Sequence, residues 1–241
     1  MRKRTKSRRR KGNVVLVIPD LHIPFHHKDA LAFLAAVKKS YKPTEVVNLG
    51  DLEDWHGINM HDHDPDGMSP GHELIALRDK VKPLFKLFPK MKICTSNHGS
   101  LPFRRAFKFG LPSELIKSYT DILQAPKGWQ WNDYWEIDGV IYEHGDPFSG
   151  QNGALKCAEQ NMQSTVIGHI HSFAGIQYSA NSKHLIFGFN AGCLIDHEAY
   201  AFSYAKKIKR KPILGCGIIK NGIPTFIPMM LNSKGRWIGK L

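Results

Sequence analysis

Aspartate, histidine and asparagine recur in five short motifs along this chain, in the order Asp20-x-His22, Gly50-Asp51-x-x-Asp54, Asn97-His98, His144-Gly145 and Gly168-His169-x-His171. Together they offer enough oxygen and imidazole donors for two divalent metal ions. Mixed ligation of this kind suits Mn²⁺ first, with Fe, Zn²⁺ or Ni²⁺ as alternatives, and does not suit Ca²⁺, which takes oxygen alone. At the end of an extended strand, residues i and i+2 point the same way, so Asp20 with His22, and His169 with His171, can each grip a shared ion. A carboxylate can bridge two cations, and Asp51 is the best placed to do so. Two ions about 3.5–4 Å apart would clamp a phosphate, activate a bridging water and stabilise the leaving oxygen. That is hydrolysis of a phosphate ester without a covalent intermediate. A zinc protease is excluded, since no His-Glu-x-x-His occurs.

Each motif follows an apolar run: Val14 to Ile18, Val46 to Leu49, Ile93 to Thr95, Val140 to Tyr142 and Thr165 to Ile167. These read as buried strands that gather the donors at one end of a sheet, where sites on α/β folds are built. Leu31, Leu34, Ala35 and Val37 fall at helical spacing within 28–41, giving a β-α-β start with a parallel pair and a right-handed crossover. A helix is predicted over 73–88, kinked or split at Pro83. The stretch 99–127 reads as helical, with Ser113 capping a helix over 114–123. Hairpins are predicted over 129–143 about Asp138-Gly139, over 174–189, and over 212–229 about Asn221-Gly222, with a helix at 153–162 between the first two. Parallel units first and antiparallel strands later give the expected fold class: α/β, a four-layer α-β-β-α sandwich of two mixed sheets.

The chain has 241 residues, 42% hydrophobic and 23% charged, and no repeat or linker that argues for two domains. Of its net charge of +13, eight charges lie between Arg2 and Lys11, which leaves +5 for everything else. Residues 1–12 are therefore expected to form a disordered basic tail, ahead of a single domain over 13–241. No run approaches membrane-spanning length, and the apolar run after the basic stretch is too short for a secretory signal. A soluble cytoplasmic protein with no membrane partner is expected. The four cysteines, unpaired in sequence, read as buried free thiols.

With its five blocks in order from Asp20 to His171, the sequence resembles the calcineurin-like metallophosphoesterases. The resemblance implies that Asp20, His22, Asp51 and His171 hold one metal, and Asp51, Asn97, His144 and His169 the other. It places His98 beside the pair as the group that contacts the scissile phosphate and protonates the leaving group, and Asp54 as an orienting carboxylate behind a metal-bound imidazole. Two positions depart from the family pattern. Gly99 stands where an acid usually follows the histidine, and Trp55 stands where the protein serine/threonine phosphatases carry arginine, which disfavours a protein phosphatase. The stretch from Gly192 to Asp196 and the closing Gly235-Arg236-Trp237 resemble the small stand-alone phosphoesterases encoded by bacteriophages, for which the cytoplasm would be that of a host.

Other residues carry a functional and a plain reading side by side. Arg104 and Arg105 follow His98 closely and could bind a non-scissile phosphate, or lie on the outer face of a short helix. His56 opens a loop through His61-Asp62-His63-Asp64 that could close over substrate or recruit a cation, or simply be solvated. Trp129, Trp131 and Trp135 alternate as on one strand face, more in keeping with packing than with base stacking. Lys206 to Lys211 could extend a polyanion track begun by the tail, and His184 and His197 match no block. The leading expectation is a two-metal phosphodiesterase, a nuclease acting on DNA or RNA. A hydrolase of small nucleotides, cyclic nucleotides or phosphomonoesters is the alternative, and a metal-containing binding protein with minor activity a third. Oligomeric state is not legible.

Overall fold

A computed structural model describes residues 12–59, 66–199 and 210–241. Most of the expected tail, the His61 to Asp64 portion of the histidine-rich loop, and residues 200–209 with most of the second basic cluster lie outside the described residues.

In chain order the elements are β1 (Val14–Ile18), α1 (Ala30–Tyr41), β2 (Glu45–Asn48), α2 (Pro70–Leu87), β3 (Met91–Cys94), α3 (Leu101–Lys108), α4 (Tyr119–Leu123) and β4 (Trp129–Asn132). There follow β5 (Tyr134–Ile137), β6 (Val140–Glu143), α5 (Gly153–Asn161), β7 (Thr165–Ile167), β8 (Gly175–Ala180), β9 (Leu185–Asn190), β10 (Gly215–Lys220) and β11 (Ile223–Pro228). One sheet runs β11-β10-β1-β2-β3-β4 and the other β5-β6-β7-β9-β8. Both are mixed: β1 to β4 pair in parallel, as do β6, β7 and β9, while β10, β11, β5 and β8 join antiparallel.

Alternation along β1 explains the layering. Leu16 and Ile18 face a core shared with Phe33 and Leu34 of α1 and with Leu77, Val81 and Leu84 of α2. Val15 and Val17 face the other way, into a core shared with Val140, Tyr142, Val166 and Phe189 of the second sheet. Ala154 and Cys157 of α5 cover the far side of that sheet against Ile167. The order is thus helices, sheet, sheet, helix, the four-layer α/β arrangement that the sequence pattern predicts.

Three local expectations need correction. The helix α2 runs unbroken through Pro83 from a Ser69 cap, whose side chain accepts from His72 N at 3.3 Å. Pro83 is exposed, so the carbonyl it leaves without a donor can be hydrated, and the apolar stripe through Leu77, Val81 and Leu84 stays intact. Ser113 begins only a short 3-10 turn. Ser118 caps α4 instead, because Asp121 three residues on returns the contact: Asp121 N donates to Ser118 Oγ at 3.2 Å, and that hydroxyl donates to Asp121 Oδ2 at 2.6 Å. The 129–143 segment, finally, is not one hairpin. Asp138 and Gly139, both at positive φ, do join β5 to β6, but β4 pairs with β3 in the other sheet. Trp129 and Trp131 therefore sit on a different sheet from Trp135, and Trp129 is buried with its indole N–H donated to Phe88 O at 2.8 Å.

Among the described residues no helix is long and apolar enough to cross a membrane, and all four cysteines are buried and free.

Candidate metal centre

The five motifs all fall just past the C-terminal ends of parallel strands, after β1, β2 and β3 of one sheet and β6 and β7 of the other. The donors therefore meet at the seam of the two sheets. The chain turns sharply to bring them there: His22, Asp51 and His169 all take the left-handed conformation, at φ 49°, 43° and 62°. Non-glycine residues held this way cost about 1–3 kcal/mol each and concentrate where function requires them. Neighbouring backbone holds them in place, since Leu21 N and His22 N both donate to Asp51 O, at 3.0 and 2.8 Å, and His169 N donates to Asp20 Oδ2 at 2.8 Å. Two glycines are steric requirements. A Cβ on Gly168 would lie 2.2 Å from Asp20 Oδ1, and one on Gly50, at φ 99°, would lie 2.6 Å from Ser96 Cβ and 3.0 Å from His144 Nδ1.

Asp20, His22, Asp51 and His171 each present a donor atom within 4.8 Å of the others, and Asp51, His144 and His169 form a second such group. Asp51 belongs to both. Its Oδ2 lies 3.4 Å from His22 Nε2 and 3.2 Å from His144 Nε2, while its Oδ1 accepts from His98 N at 3.1 Å. Asn97 joins the second group through Oδ1, 2.7 Å from His144 Nε2. His171 Nε2 stands 2.9 Å from Asp20 Oδ2, and Asp20 Oδ1 is buried without a hydrogen-bond partner. A buried carboxylate oxygen with no donor, among converging imidazole nitrogens, is a donor set that a divalent cation fits.

The imidazoles are oriented from behind. His144 Nδ1 faces Leu49 O at 2.9 Å, His22 Nδ1 faces Asp54 Oδ1 at 2.5 Å, and His98 Nδ1 faces Asp54 O at 2.5 Å. Each arrangement places the ring N–H on Nδ1, against an oxygen that can only accept, and leaves Nε2 for the site. Asp54 thus serves two histidines, one through its carboxylate and one through its carbonyl. A third close group, His22, Asp54 and His98, is the same contact seen from Asp54.

Without a cation the groups polarise one another. Burial alone would raise the Asp51 carboxyl, but the charges of His144 and His98 and hydrogen bonds from His144 and His22 hold it well below the usual carboxylate range. Burial would lower His22, yet Asp51 and Asp54 raise it well above the ordinary histidine value, and Asp51 and Asp20 likewise lift His144 to about 9. His169 is lowered, by burial and then by the His144 charge.

Around this centre the remaining candidates separate. Arg104 is exposed on α3 and donates to Asn97 O at 3.2 Å. Arg105 donates to Ile58 O at 2.7 Å and to Asn59 O, so its guanidinium ties down the turn that His56 opens. His56 itself is buried, its ring 6.4 Å from that of Phe25 and its backbone N–H on Glu73 Oε1 at 2.8 Å. Trp55 is buried in the outer core. A side chain at position 99 would be crowded: a Cβ there would lie 3.1 Å from Ser96 Oγ and 3.2 Å from Glu53 Oε1.

Two residues at the centre went unremarked in sequence. Asp146 is exposed, with Oδ1 3.6 Å from His144 Nε2; its i+2 spacing from His144, the same as that of Asp20 and His22, was the available signal. Ser96 Oγ accepts from Asp51 N at 2.8 Å and Gly99 N at 3.1 Å, bracing two of the loops, and nothing in the sequence marks it.

No protein-family model matches this chain, and no curated protein matches it. Among solved structures, the phosphoesterase YfcE from E. coli is 16% identical at a TM-score of 0.45, covering 93% of this chain and 96% of that one. Vps29 from Chaetomium thermophilum is 12% identical at 0.45, covering 93% of each. The nuclease MPE from Pseudomonas putida is 13% identical at 0.39, covering 89% of this chain and 86% of its own.

Proposed function

We propose that the protein is a metal-dependent phosphoesterase, and specifically a phosphodiesterase that cleaves nucleic acid with two divalent cations, Mn²⁺ foremost. The observation that carries this reading is Asp51, one carboxylate shared by two converging donor groups, with the backbone N–H of His98 donated to it. Bound there, two cations would supply Lewis-acid polarisation of a phosphoryl oxygen and a water of lowered pKa. The protein's own groups do the rest. Asp54 fixes the ring of His22 through its carboxylate and that of His98 through its carbonyl. His98, with Nδ1 so engaged, keeps Nε2 to hold a proton for the leaving oxygen. The rings of His22 and His98 pack edge to face, 4.6 Å between centroids, so the proton donor is kept beside the donor groups rather than swinging free.

The net charge of +13, with eight positive charges between Arg2 and Lys11, supports a polyanionic substrate. The exposed carboxylate of Asp146 at the centre favours the second reading, a smaller phosphorylated molecule. Removal of residues 1–12 separates the two. A nuclease should lose DNA or RNA cleavage on truncation, and lose less of it at high salt, whereas a small-molecule hydrolase should turn over unaltered.

A further inference from the structure

The helix α3, which leaves the candidate metal centre, and the residues that follow it leave large apolar side chains exposed among the described residues. Phe107 is 85% exposed and Phe109 73%, with Leu111 and Leu115 at 49% and 70%. The same helix buries Leu101 and Ala106, and Phe103 packs on Tyr119 with ring centroids 4.7 Å apart, so α3 is anchored without Phe107, on its solvent side, or Phe109, which follows its last residue. Large apolar side chains left in water at this density mark a contact surface. The cations around them are specific as well. Between Leu101 and Ser118 there are four, Arg104, Arg105, Lys108 and Lys117, against one acid, Glu114; Arg105 is held on the carbonyls of Ile58 and Asn59, and the other three are exposed. Arg104, Phe107 and Lys108 fall at i, i+3 and i+4 and share the solvent side of α3. Arg104 holds the carbonyl of Asn97, so this face begins at a candidate metal donor, and Phe107 follows about 4.5 Å along the helix axis.

The geometry points to this face as a stacking platform for single-stranded nucleic acid, taking the bases next to a scissile phosphate held at the metal centre. The inference rests on the phosphodiesterase reading and adds to it the strand state of the substrate. Positive side chains alternating with exposed rings fit a backbone of phosphates bearing flat bases, whereas a protein partner would have to meet the cations as well as the rings. A duplex keeps its base faces stacked on one another and offers the rings nothing, so the platform discriminates in favour of unpaired strands.

The test uses the full chain in four forms: wild type, Phe107→Ala/Phe109→Ala, Phe107→Leu/Phe109→Leu, which keeps apolar area and removes the rings, and Lys108→Glu. Binding of a fluorescent oligothymidylate and of a duplex of matched length is measured by anisotropy in chelator, where nothing is cleaved, beside hydrolysis of bis-p-nitrophenyl phosphate in Mn²⁺. The platform predicts that losing both rings weakens single-strand binding by about 25-fold or more, that the leucine variant is as impaired as the alanine one, that Lys108→Glu weakens it too, and that both ring variants leave duplex binding and small-diester hydrolysis unchanged. Unchanged single-strand binding in both double variants overturns the platform. So does a variant that turns from dimer to monomer by light scattering while binding the oligonucleotide normally, since the surface is then a contact between copies. If the wild type binds single strands through these rings yet hydrolyses no diester, the platform stands and the catalytic reading fails.

Discussion

Asp54 Oδ1 lies 2.5 Å from His22 Nδ1, both buried, so the carboxylate of the second motif sets the ring of the first. On the proposed reading Asp54 positions His22 rather than ligating a metal. Asp54→Ala should fold, retain the Asp51 carboxylate and bind Mn²⁺ about 10–100-fold more weakly, as read by calorimetric titration. Affinity equal to wild type would remove Asp54 from the site.

The proposed reading gives His98 a proton position rather than a metal donor. His98→Ala is expected to keep its metal content, measured by elemental analysis, and to lose about 10²–10⁴-fold in kcat on a diester substrate. A variant with full metal and full rate would instead favour a protein that binds phosphates without needing catalysis.

The Asp and His residues of the centre were legible because each follows a short apolar run that reads as a buried strand, and the structure brings these strand ends together. What lay behind them was not. The tethers on His144 and His98 are the carbonyls of Leu49 and Asp54, and a carbonyl leaves no mark in a sequence. Strand membership was legible where a turn is local, as at Asp138-Gly139. It was not legible for β4, whose place beside β3 is decided by contacts distant along the chain. Arg105 illustrates the same limit, since its partners Ile58 and Asn59 lie 46 or more residues away.

Metal-free protein should respond to pH through His144. Burial alone would lower this histidine, but the carboxylates around it raise it to about 9. Since the folded value lies above the unfolded value of about 6.5, the stability it contributes is complete below pH 6.5 and is lost as pH rises through about 9. Thermal melts in chelator are expected to show Tm falling across this interval. A cation must displace the same proton, so Mn²⁺ affinity should climb over those pH values, by up to about tenfold per unit for each proton released. A chelated protein whose Tm is flat or rising there would contradict this assignment.

The C-terminal residues are held by Asp29, the residue that precedes α1. Arg236 donates to both of its carboxylate oxygens, through Nε at 2.7 Å and through Nη2, and Trp237 N donates at 3.0 Å. The Arg236 hydrogen bonds hold the Asp29 carboxyl below the usual carboxylate range. A depressed value contributes stability that is present above the unfolded pKa of about 3.9 and lost as pH falls through the folded one. Asp29→Asn should therefore melt below wild type at pH 7, with the gap narrowing under about pH 4. A gap that does not change with pH would show that the carboxylate charge is immaterial.

The central claim is that Asp51 joins two cation-binding groups into one hydrolytic centre. Its most direct test is hydrolysis of bis-p-nitrophenyl phosphate in Mn²⁺ by wild type and Asp51→Asn, with p-nitrophenyl phosphate alongside. Diester cleavage by the wild type that is lost in the variant, with the fold intact by circular dichroism, is the predicted result. Diester cleavage that survives the substitution, or a metal-loaded wild type that cleaves neither ester, would contradict it.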